Sequence, residues 1–594
     1  KNLSALRAYM KRQDLAAVIV PTNDPHFSEY VAAHFKCREW LTGFTGSAGT
    51  AVVTQSDAAL FTDSRYFLQA EQQLSGSGFE LKKEGLPESE SIAAYLKKRV
   101  AEGRVGVDEK LYAVATFDAL KQELEPLTLA ADDDPFAEIW DNRPPLPDDK
   151  AFLMSDEAAG ATVAEKLRML KAKLKPDASS IYVASALDEV AWLLNLRGND
   201  VAYTPVNIAY AVVELDSDEV HLFINPQKLE AKDAVTLQEQ HVSVHAYSDF
   251  EQQLAQMATG KNVIFNGSRT SIGIRRVAEK SCRRLAIEGG AFGAITLLKA
   301  VKNKAELNGF RRAMIADGIA WLRFWMWLEE RIGSGEVTEI SAGEQLRSLR
   351  AVSPDFLEES FSPIVGYREH GAIVHYSATP ESNIALGSDT FILIDTGAHY
   401  RYGTTDITRT LHFGEPTEQE VNDYTLVLKG HIQLAMAKFP YGTRGAQLDM
   451  LARQPLMQDY LAYLHGTGHG VGHCLCVHEG PQSIRLNENP TILEENMVTS
   501  CEPGLYRAGQ YGIRIENLLY TTLDEENEFG RFLKFEPLTL CPIDTSAVNG
   551  KVLTWQERVY LNGYQSHVFR TLKPHLSADE QQFLRTKILA VVAY

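Results

Sequence analysis

At 594 residues the chain is too long for one hydrophobic core, so several domains are expected. Its 45% hydrophobic and 23% charged residues are typical of a soluble globular protein. The net charge of -19 argues against a nucleic-acid partner, because phosphate binding needs a basic surface.

The six cysteines are too few and too scattered for a disulfide framework, and they fit a reducing compartment. Cys474 and Cys476 are interpreted as one face of a strand rather than as a soft-metal site. The most apolar predicted helix, around residues 318–328, is too short to span a bilayer and carries Arg323. No signal peptide is visible, so no membrane partner and a cytoplasmic location are expected.

A charged, proline-rich stretch at residues 141–150 marks the first boundary. Its three prolines within four residues disfavour helix and interior strand, which predicts an extended linker. A second boundary lies near residue 300, where a long amphipathic helix is predicted. The expected domains are 1–140, 151–300 and 301–594, the last with a C-terminal extension.

The first two domains share a plan in which a helix precedes a buried strand, a second helix follows, and apolar strands come next. This alternation predicts an α/β sandwich, and its repetition indicates a duplicated N-terminal domain. The predicted strands are 15–21, 50–54, 58–61, 180–184, 208–213 and 220–224.

The third domain is predicted to be α+β and of catalytic size. Helices are expected at about 304–332 and 338–350, and residues 391–394 form a buried strand. Thr417 and Glu420 have the spacing of a capping box, which predicts a helix from there to about residue 439.

Two aspartates stand at strand ends in this domain. Asp395 follows the strand 391–394, and Asp406 comes after a glycine-containing turn. A strand, a turn and a returning strand can bring the two carboxylates side by side. They would repel each other unless a cation lay between them. A single aspartate in such a place is most often only a turn cap.

Three later features favour the metal interpretation. The segment HGTGHGVG at 465–472 places four glycines around two histidines, which allows close backbone approach. Glu502 stands on a turn before Pro503, and Glu516 ends a segment whose alternation puts Arg514 on the same face. Four carboxylates and one imidazole match two divalent cations, and such oxygen-rich ligation suits Mn²⁺ or Mg²⁺. These five residues are Asp395, Asp406, His469, Glu502 and Glu516.

The same motifs resemble the pita-bread metallopeptidases, and most closely the long three-domain form of the aminopeptidase P branch. The family's ligands occur here in its order of Asp, Asp, His, Glu and Glu. The resemblance covers nearly the whole chain. It is carried by GFTGSAGT (43–50), TDSRYFLQ (62–69), LDEVAWLLNLRG (187–198), DTGA (395–398), YGTTDITRT (402–410), HGTGHGVG (465–472) and VHEGP (477–481).

This resemblance implies two creatinase-like α/β domains followed by a C-terminal pita-bread catalytic domain. It implies that Asp395 holds one metal, that His469 and Glu502 hold the other, and that Asp406 and Glu516 bridge the two. Mn²⁺ is the family's usual ion, with Zn²⁺ or Co²⁺ as alternatives. A homodimer is also implied.

The resemblance further implies roles for residues around the metals. Glu502 would act as general base, and three histidines would meet the substrate: His375 near the metals, His478 at the scissile bond or the oxyanion, and His465 in the pocket. Tyr506 and Arg514 would orient Asp395. The other histidines singled out are assigned structural roles: His399, His412, His431 and His473.

The implied activity is release of the N-terminal residue from peptides with proline second, through attack by a hydroxide that bridges two divalent metals. The alternatives are prolidase, which cuts Xaa-Pro dipeptides, and a catalytically inactive binding module of the same fold. The chain departs from the family pattern at Cys501, where many relatives have aspartate, and at His473 and Cys474. These changes could alter the pocket's shape or its metal preference, but they remove no ligand.

Overall fold

The computed structural model describes residues 1–593 and divides into two compact units. The first unit contains residues 1–155 and 161–298. The second contains residues 156–160 and the chain from residue 299 onward. Within the described residues, no helix combines the length and apolarity that crossing a membrane would require.

The first unit begins with a six-stranded mixed sheet. Its three middle strands form two antiparallel pairs, and strands in parallel pairing flank them on both sides. The connections that lead to its parallel strands contain the helices Phe67–Gln73, Ile92–Arg99 and Val114–Leu124. Its other helices are Asn2–Arg12, Cys37–Thr42 and Phe136–Ile139. In spatial order the strands are Glu80–Lys83, Ala58–Thr62, Thr50–Thr54, Ala17–Pro21, Arg104–Asp108 and Thr128–Asp132.

A second six-stranded sheet in the same unit repeats this order and every strand direction. The duplicated plan predicted from the sequence is therefore confirmed. Its helices include Val163–Leu174, Leu187–Leu194, Ala231–Glu239, Phe250–Met257 and Ile272–Glu279. In spatial order its strands are Val242–His245, Glu219–Phe223, Tyr210–Glu214, Ser180–Ala184, Asn262–Asn266 and Arg284–Glu288.

Residues 141–150 form neither helix nor strand, and most of them are exposed. This is the extended conformation that the prolines favour, because the ring fixes φ and the nitrogen has no hydrogen to donate. The two sheets lie in one compact unit, so the domain boundaries drawn at this stretch and near residue 300 stay predictions.

The second unit is organised by the helix Lys304–Arg331. Asn303 Oδ1 accepts a hydrogen bond from Glu306 N at 2.8 Å, and Glu306 Oε1 accepts one from Asn303 N at 3.0 Å, so a capping box starts the helix. The other helices include Glu339–Arg350, Glu418–Ala435, Gly445–Met457, Trp555–Leu572 and Ala578–Lys587.

Two antiparallel sheets of this unit carry most of the predicted site. The smaller one consists of Ile364–Tyr367, Ile392–Thr396 and Ile407–Leu411. The larger one consists of Lys438–Pro440, Gly530–Pro537, Asn517–Asn527, Val498–Cys501, Gly468–Gly470 and Glu479–Ile484.

Two local predictions are corrected. The helix that Thr417 caps ends at Ala435 instead of near residue 439, because Lys438–Pro440 pairs as an edge strand with Gly530–Pro537. The segment around Cys474 and Cys476 is a turn rather than a strand. The amide of Gly472 donates to the carbonyl of Cys476 at 2.9 Å, and Cys474 has a left-handed φ of 48°.

Candidate metal centre

Asp395 and Asp406 lie on, and just before, two neighbouring antiparallel strands, in agreement with the strand–turn–strand prediction. Asp395 belongs to Ile392–Thr396 and pairs with Thr408, and Asp406 immediately precedes Ile407–Leu411. Both side chains are buried. The antiparallel pairing of these two strands thus brings the two carboxylates close together in the second unit.

Glu516 joins these aspartates through Thr408. The Thr408 hydroxyl donates to Glu516 Oε2 at 2.7 Å, and the Glu516 amide donates to the Thr408 carbonyl at 3.1 Å. Ligand atoms of Asp395, Asp406 and Glu516 all lie within 4.8 Å of one another. One hydroxyl therefore orients a third carboxylate toward the first two.

His469 and Glu502 approach from the larger sheet. His469 N donates to the Ser500 hydroxyl at 3.0 Å, and that hydroxyl donates to Glu502 Oε1 at 3.2 Å. His469 Nε2 lies 3.3 Å from Glu502 Oε1 and 3.3 Å from Asp406 Oδ2. This imidazole consequently links the two groups of carboxylates.

Gly468 explains part of the glycine-rich motif. A Cβ atom at this position would lie 2.1 Å from the carbonyl oxygen of Ser500, which is far inside van der Waals contact. Only glycine lets the two strands approach closely enough for the Ser500 hydroxyl to reach His469.

The five predicted ligands fall into overlapping clusters of potential donor atoms, and we call them the donor set. One cluster contains Asp395, Asp406 and Glu516, and another contains His469, Glu502 and Glu516. The third cluster contains Asp406 and His469 together with His478. The members of the donor set are Asp395, Asp406, His469, Glu502 and Glu516.

Burial and mutual repulsion perturb these groups. Burial raises the pKa of Asp395 to about 7 despite the neighbouring Arg514, and burial with the charges of Asp406 and Glu502 raises the pKa of Glu516 well above its usual value. Burial also opposes ionisation of Glu502, but hydrogen bonding and charge from His469 lower its pKa to about 2. A pair of cations would relieve this crowding of carboxylates.

The residues fit such cations. Asp395 Oδ1 and Glu516 Oε1 are buried and have no hydrogen-bond partner among residues 1–593. A buried carboxylate oxygen is costly unless it is hydrogen-bonded or coordinates a cation. The donor chemistry, with carboxylates in excess over one imidazole, suits hard divalent ions.

Arg514 connects Asp395 to two of the predicted accessory residues. Its Nη2 and Nε donate to Asp395 Oδ2 at 2.8 and 3.1 Å, and its Nη1 donates to the Tyr506 hydroxyl at 2.7 Å. The same hydroxyl lies 2.7 Å from His465 Nε2. A continuous hydrogen-bonded chain thus runs from Asp395 to His465.

The two remaining predicted histidines, His478 and His375, differ in their relation to the donor set. The ring of His478 stands nearly perpendicular to that of His469, with centroids 4.5 Å apart. His375 is half-buried and belongs to none of the donor clusters. The carbonyl of the preceding Val374 accepts a hydrogen bond from Arg514 at 3.2 Å, which ties the His375 segment to the Asp395 side.

Several supporting residues were not predicted. Arg453 donates to the carbonyls of Tyr463 and His465 and pairs with Asp449, whose Oδ1 accepts from the Thr467 hydroxyl. This buried pair holds the glycine-rich segment. Its only signal in the sequence is the i, i+4 spacing of Asp449 and Arg453, which is usually a surface ion pair.

Cys501 is buried, and because it follows Ser500 on the strand Val498–Cys501 its side chain lies on the face opposite to the Ser500 hydroxyl, which contacts His469 and Glu502. Its sulfur lies 3.5 Å from His431 Nδ1, which is itself 3.1 Å from the carbonyl of Ile515. Burial raises the pKa of the Cys501 thiol well above its usual value. The departure at residue 501 therefore replaces a contact behind Glu502 and not a donor atom.

Models of known families match four parts of the chain. Residues 2–137 and 142–306 each match the creatinase/prolidase N-terminal domain. Residues 308–523 match metallopeptidase family M24, and residues 531–590 match the C-terminal region of that peptidase family. The predicted order of two creatinase-like domains and a pita-bread metallopeptidase domain is thereby confirmed.

Individual relatives agree over nearly the full length. A probable Xaa-Pro aminopeptidase P of Coprinopsis cinerea is 39% identical, with 98% of this chain and 96% of that protein covered. Xaa-Pro aminopeptidase 1 of Dictyostelium discoideum is 36% identical over 98% of this chain and 94% of its own length.

Solved structures show the same kinship. X-prolyl aminopeptidase of Caenorhabditis elegans, described as a cytosolic enzyme with a di-nuclear active site, has a TM-score of 0.93 and 33% identity, with 99% of each chain covered. An Xaa-Pro dipeptidase of Bacillus anthracis shares only the fold, at a TM-score of 0.51 and 20% identity over 64% of this chain and 99% of its own. Because the agreement with aminopeptidases P extends along almost the entire sequence, the chain belongs to the aminopeptidase P family of M24 metallopeptidases.

Proposed function

We propose that this chain is a metal-dependent aminopeptidase that removes the N-terminal residue from peptides with proline at the second position. One observation carries the proposal: the donor set converges in a chain whose relatives over nearly their full length are Xaa-Pro aminopeptidases. An inactive binding module of this fold would be expected to lack metal ligands, and all five family positions are occupied here by ligating residues.

The donor set would hold two divalent cations, with Asp395 on one ion, His469 and Glu502 on the other, and Asp406 and Glu516 between them. When bound, such ions act as Lewis acids toward the scissile carbonyl and the attacking water. We propose Mn²⁺ as the native ion, because the oxygen-rich set matches a hard cation, with Zn²⁺ and Co²⁺ as competitors.

Glu502 is assigned as the general base. Its side chain is 17% exposed, so water and substrate can reach it, whereas the carboxyl of Glu516 is fully buried. In the metal-free chain, hydrogen bonding and charge from His469 lower the pKa of Glu502, so its carboxylate is ionised at neutral pH, as a proton acceptor must be. The Ser500 hydroxyl donates to one of its oxygens and so orients the carboxylate.

The histidines around the donor set are assigned to the substrate. His478 touches the ring of His469 and can donate to negative charge that develops on the carbonyl oxygen. His465 is held by the Tyr506 hydroxyl, and burial lowers its pKa to about 4, so it is neutral at physiological pH. His375 completes the assigned group on the segment tied down by Arg514.

Proline at the second position fits this arrangement. The bond before proline has a leaving nitrogen without hydrogen, so an enzyme that recognises the substrate amide N–H gains nothing there. Polarising the carbonyl needs no such hydrogen. The free N-terminus would bind near the carboxylates, which confines cleavage to the first residue.

The length of the peptide that is cleaved distinguishes an Xaa-Pro aminopeptidase from a prolidase. Mass spectrometry of digests of Arg-Pro-Pro and Arg-Pro should show release of arginine from the tripeptide. That release should be lost after chelation and restored by Mn²⁺. Cleavage of the dipeptide with an intact tripeptide would establish prolidase instead, and full activity of Glu502→Ala would contradict the assigned site.

We also propose a homodimer and a cytoplasmic location. The dimer rests on the family resemblance, and light scattering during gel filtration tests it through the mass in solution. The location is supported by the C. elegans relative, which is described as cytosolic. Fractionation of cells that express the full-length protein tests the location.

A further inference from the structure

We propose that the second creatinase-like sheet carries a separate binding site for a borderline divalent cation such as Zn²⁺, formed by Glu214, Glu219 and His221. One ligand atom from each of the three lies within 4.8 Å of the other two. These residues belong to the first compact unit, whereas the donor set belongs to the second. The proposed site is therefore distinct from the catalytic centre and does not depend on the proposed function.

Strand register brings the three side chains together. Glu214 ends Tyr210–Glu214, Glu219 begins Glu219–Phe223, and the two glutamates are directly opposite in the antiparallel pair. His221 is two residues beyond Glu219 and so lies on the same face of the sheet. Like charges directly opposite each other destabilise a strand pair, and a cation between the glutamates would reduce that repulsion.

A second histidine orients the first. His221 Nε2 lies 3.1 Å from Glu214 Oε1, and His221 Nδ1 lies 3.0 Å from His245 Nε2. If Nδ1 carries the proton and donates to His245, the lone pair of Nε2 faces the carboxylates. Metal-binding histidines are commonly held in this way by a hydrogen bond from their other ring nitrogen.

His245 is itself held in place. Its ring stacks on Phe223 with centroids 4.9 Å apart, and Phe223 is fully buried in the core of the domain. The orienting hydrogen bond is consequently accepted by a side chain with little freedom to rotate. This rigidity distinguishes the cluster from a chance meeting of surface side chains.

The donors define the class of ion. One imidazole and two carboxylates match Zn²⁺ or Co²⁺, with a fourth position left for water. An imidazole ligand disfavours Mg²⁺ and Ca²⁺, which prefer oxygen. Lys261 Nζ lies 3.5 Å from Glu214 Oε2 and is the cation that competes with the metal. Removing this lysine should strengthen metal binding.

The test is a calorimetric titration of the full chain with Zn²⁺, after the catalytic centre has been loaded with Zn²⁺ and excess ion removed. The wild type should take up one further ion per chain. Glu219→Gln and His221→Gln should weaken this step by at least about tenfold, and His245→Phe by about 10–100-fold. Glu230→Gln, which removes an exposed carboxylate elsewhere in the same unit, should leave it unchanged.

Lys261→Met should instead increase the affinity for Zn²⁺, and a gain in affinity cannot arise from misfolding. Hydrogen exchange supplies a readout that is independent of activity. Zn²⁺ should slow exchange of the amides at 214–221 in the wild type and in Glu230→Gln, but not in His221→Gln. The proposal is overturned if the loaded wild type takes up no further ion, or if Glu219→Gln and His221→Gln bind it as the wild type does.

Discussion

Arg514 donates two hydrogen bonds to one oxygen of Asp395, from Nη2 at 2.8 Å and from Nε at 3.1 Å to Oδ2. The other oxygen, Oδ1, is buried and has no hydrogen-bond partner in the described part of the chain. The planar guanidinium fixes the rotation of the carboxylate and leaves Oδ1 directed at the position a cation would take.

Arg514→Lys should therefore weaken metal binding while preserving charge. A lysine cannot hold two bonds to Asp395 and a third to Tyr506. We expect a loss of about 10–100-fold in metal affinity, measured as the Mn²⁺ concentration that restores activity to chelated enzyme. Arg331→Lys, at an exposed arginine on the long helix, is the control. An unchanged restoration curve for Arg514→Lys would contradict the orienting role.

The donor set could be placed from sequence because each member stands at or beside a strand end with a local signal. Asp395 follows an apolar run, and His469 lies among glycines. The pairing of these strand ends in space required the structure. Thr408 and Glu516 are 108 positions apart in the sequence, and no pattern in the sequence predicts the hydrogen bond between the Thr408 hydroxyl and the Glu516 carboxylate.

In the duplicated domain, too, local elements could be predicted from the sequence, whereas the pairing of particular residues could not. Alternating helices and apolar strands predict two similar α/β sheets, and helix starts at capping boxes follow from local chemistry. The register that places Glu214 opposite Glu219 depends on the conformation of the turn that joins the two strands, and the sequence composition does not predict that conformation. The turn at Cys474 was missed because alternating apolar residues fit a strand equally well.

Thr408→Val tests the hydroxyl that orients Glu516. The substitution conserves shape but removes the hydrogen bond at 2.7 Å, leaving both oxygens of a buried carboxylate without a donor. The metal-free protein should lose about 1–3 kcal/mol of unfolding free energy, and metal affinity should fall. Denaturant unfolding with chelator measures the first effect.

Thr521→Val is the matched control for that variant. Thr521 is also fully buried on a strand of the second unit, but its hydroxyl has no hydrogen-bond partner among the described residues. Its replacement should be neutral or stabilising, because only an unsatisfied hydroxyl is removed. Equal losses in both threonine variants would show that the Thr408 hydroxyl has no special role.

Glu339 fixes the segment that carries His375. Its Oε1 accepts from His370 Nδ1 at 2.7 Å and from Tyr367 N at 3.0 Å, and its Oε2 accepts from the Tyr376 hydroxyl at 2.7 Å. In Glu339→Gln an amide NH₂ group replaces one of the two accepting oxygens, so at least one of these hydrogen bonds is lost. We expect a lower kcat/KM on Arg-Pro-Pro with unchanged metal content, because the variant would displace His375, which we assign to substrate binding, and would leave the donor set in place.

An NMR titration distinguishes this effect from general destabilisation. The hydrogen bond to Glu339 raises the pKa of His370, so the Gln variant should lower it. Glu344→Gln removes an exposed carboxylate from the same helix and should change neither quantity. If kcat/KM stays at the wild-type value while the His370 pKa falls, Glu339 does not position the substrate segment.

The metal-free enzyme should lose stability as pH rises from about 5 to 8. Asp395, with a pKa of about 7, retains a proton that an unfolded aspartate releases near pH 3.9, so its contribution to stability declines between those values. Glu516 acts in the same direction, and so does His469, whose pKa lies well above 6.5 in the folded chain. Glu502, with its pKa at about 2, contributes a constant amount above about pH 4.5.

Bound cations replace those protons, so metal-loaded enzyme should show a flatter profile over the same range. Each retained proton accounts for a slope of up to about 1.4 kcal/mol per pH unit, and calorimetric unfolding at several pH values with chelator or Mn²⁺ measures the difference. Glu516→Gln removes one titrating group and should reduce the metal-free slope. Parallel profiles with and without metal would mean that the crowded carboxylates do not hold protons in place of cations, and that the donor set owes its stability to other contacts.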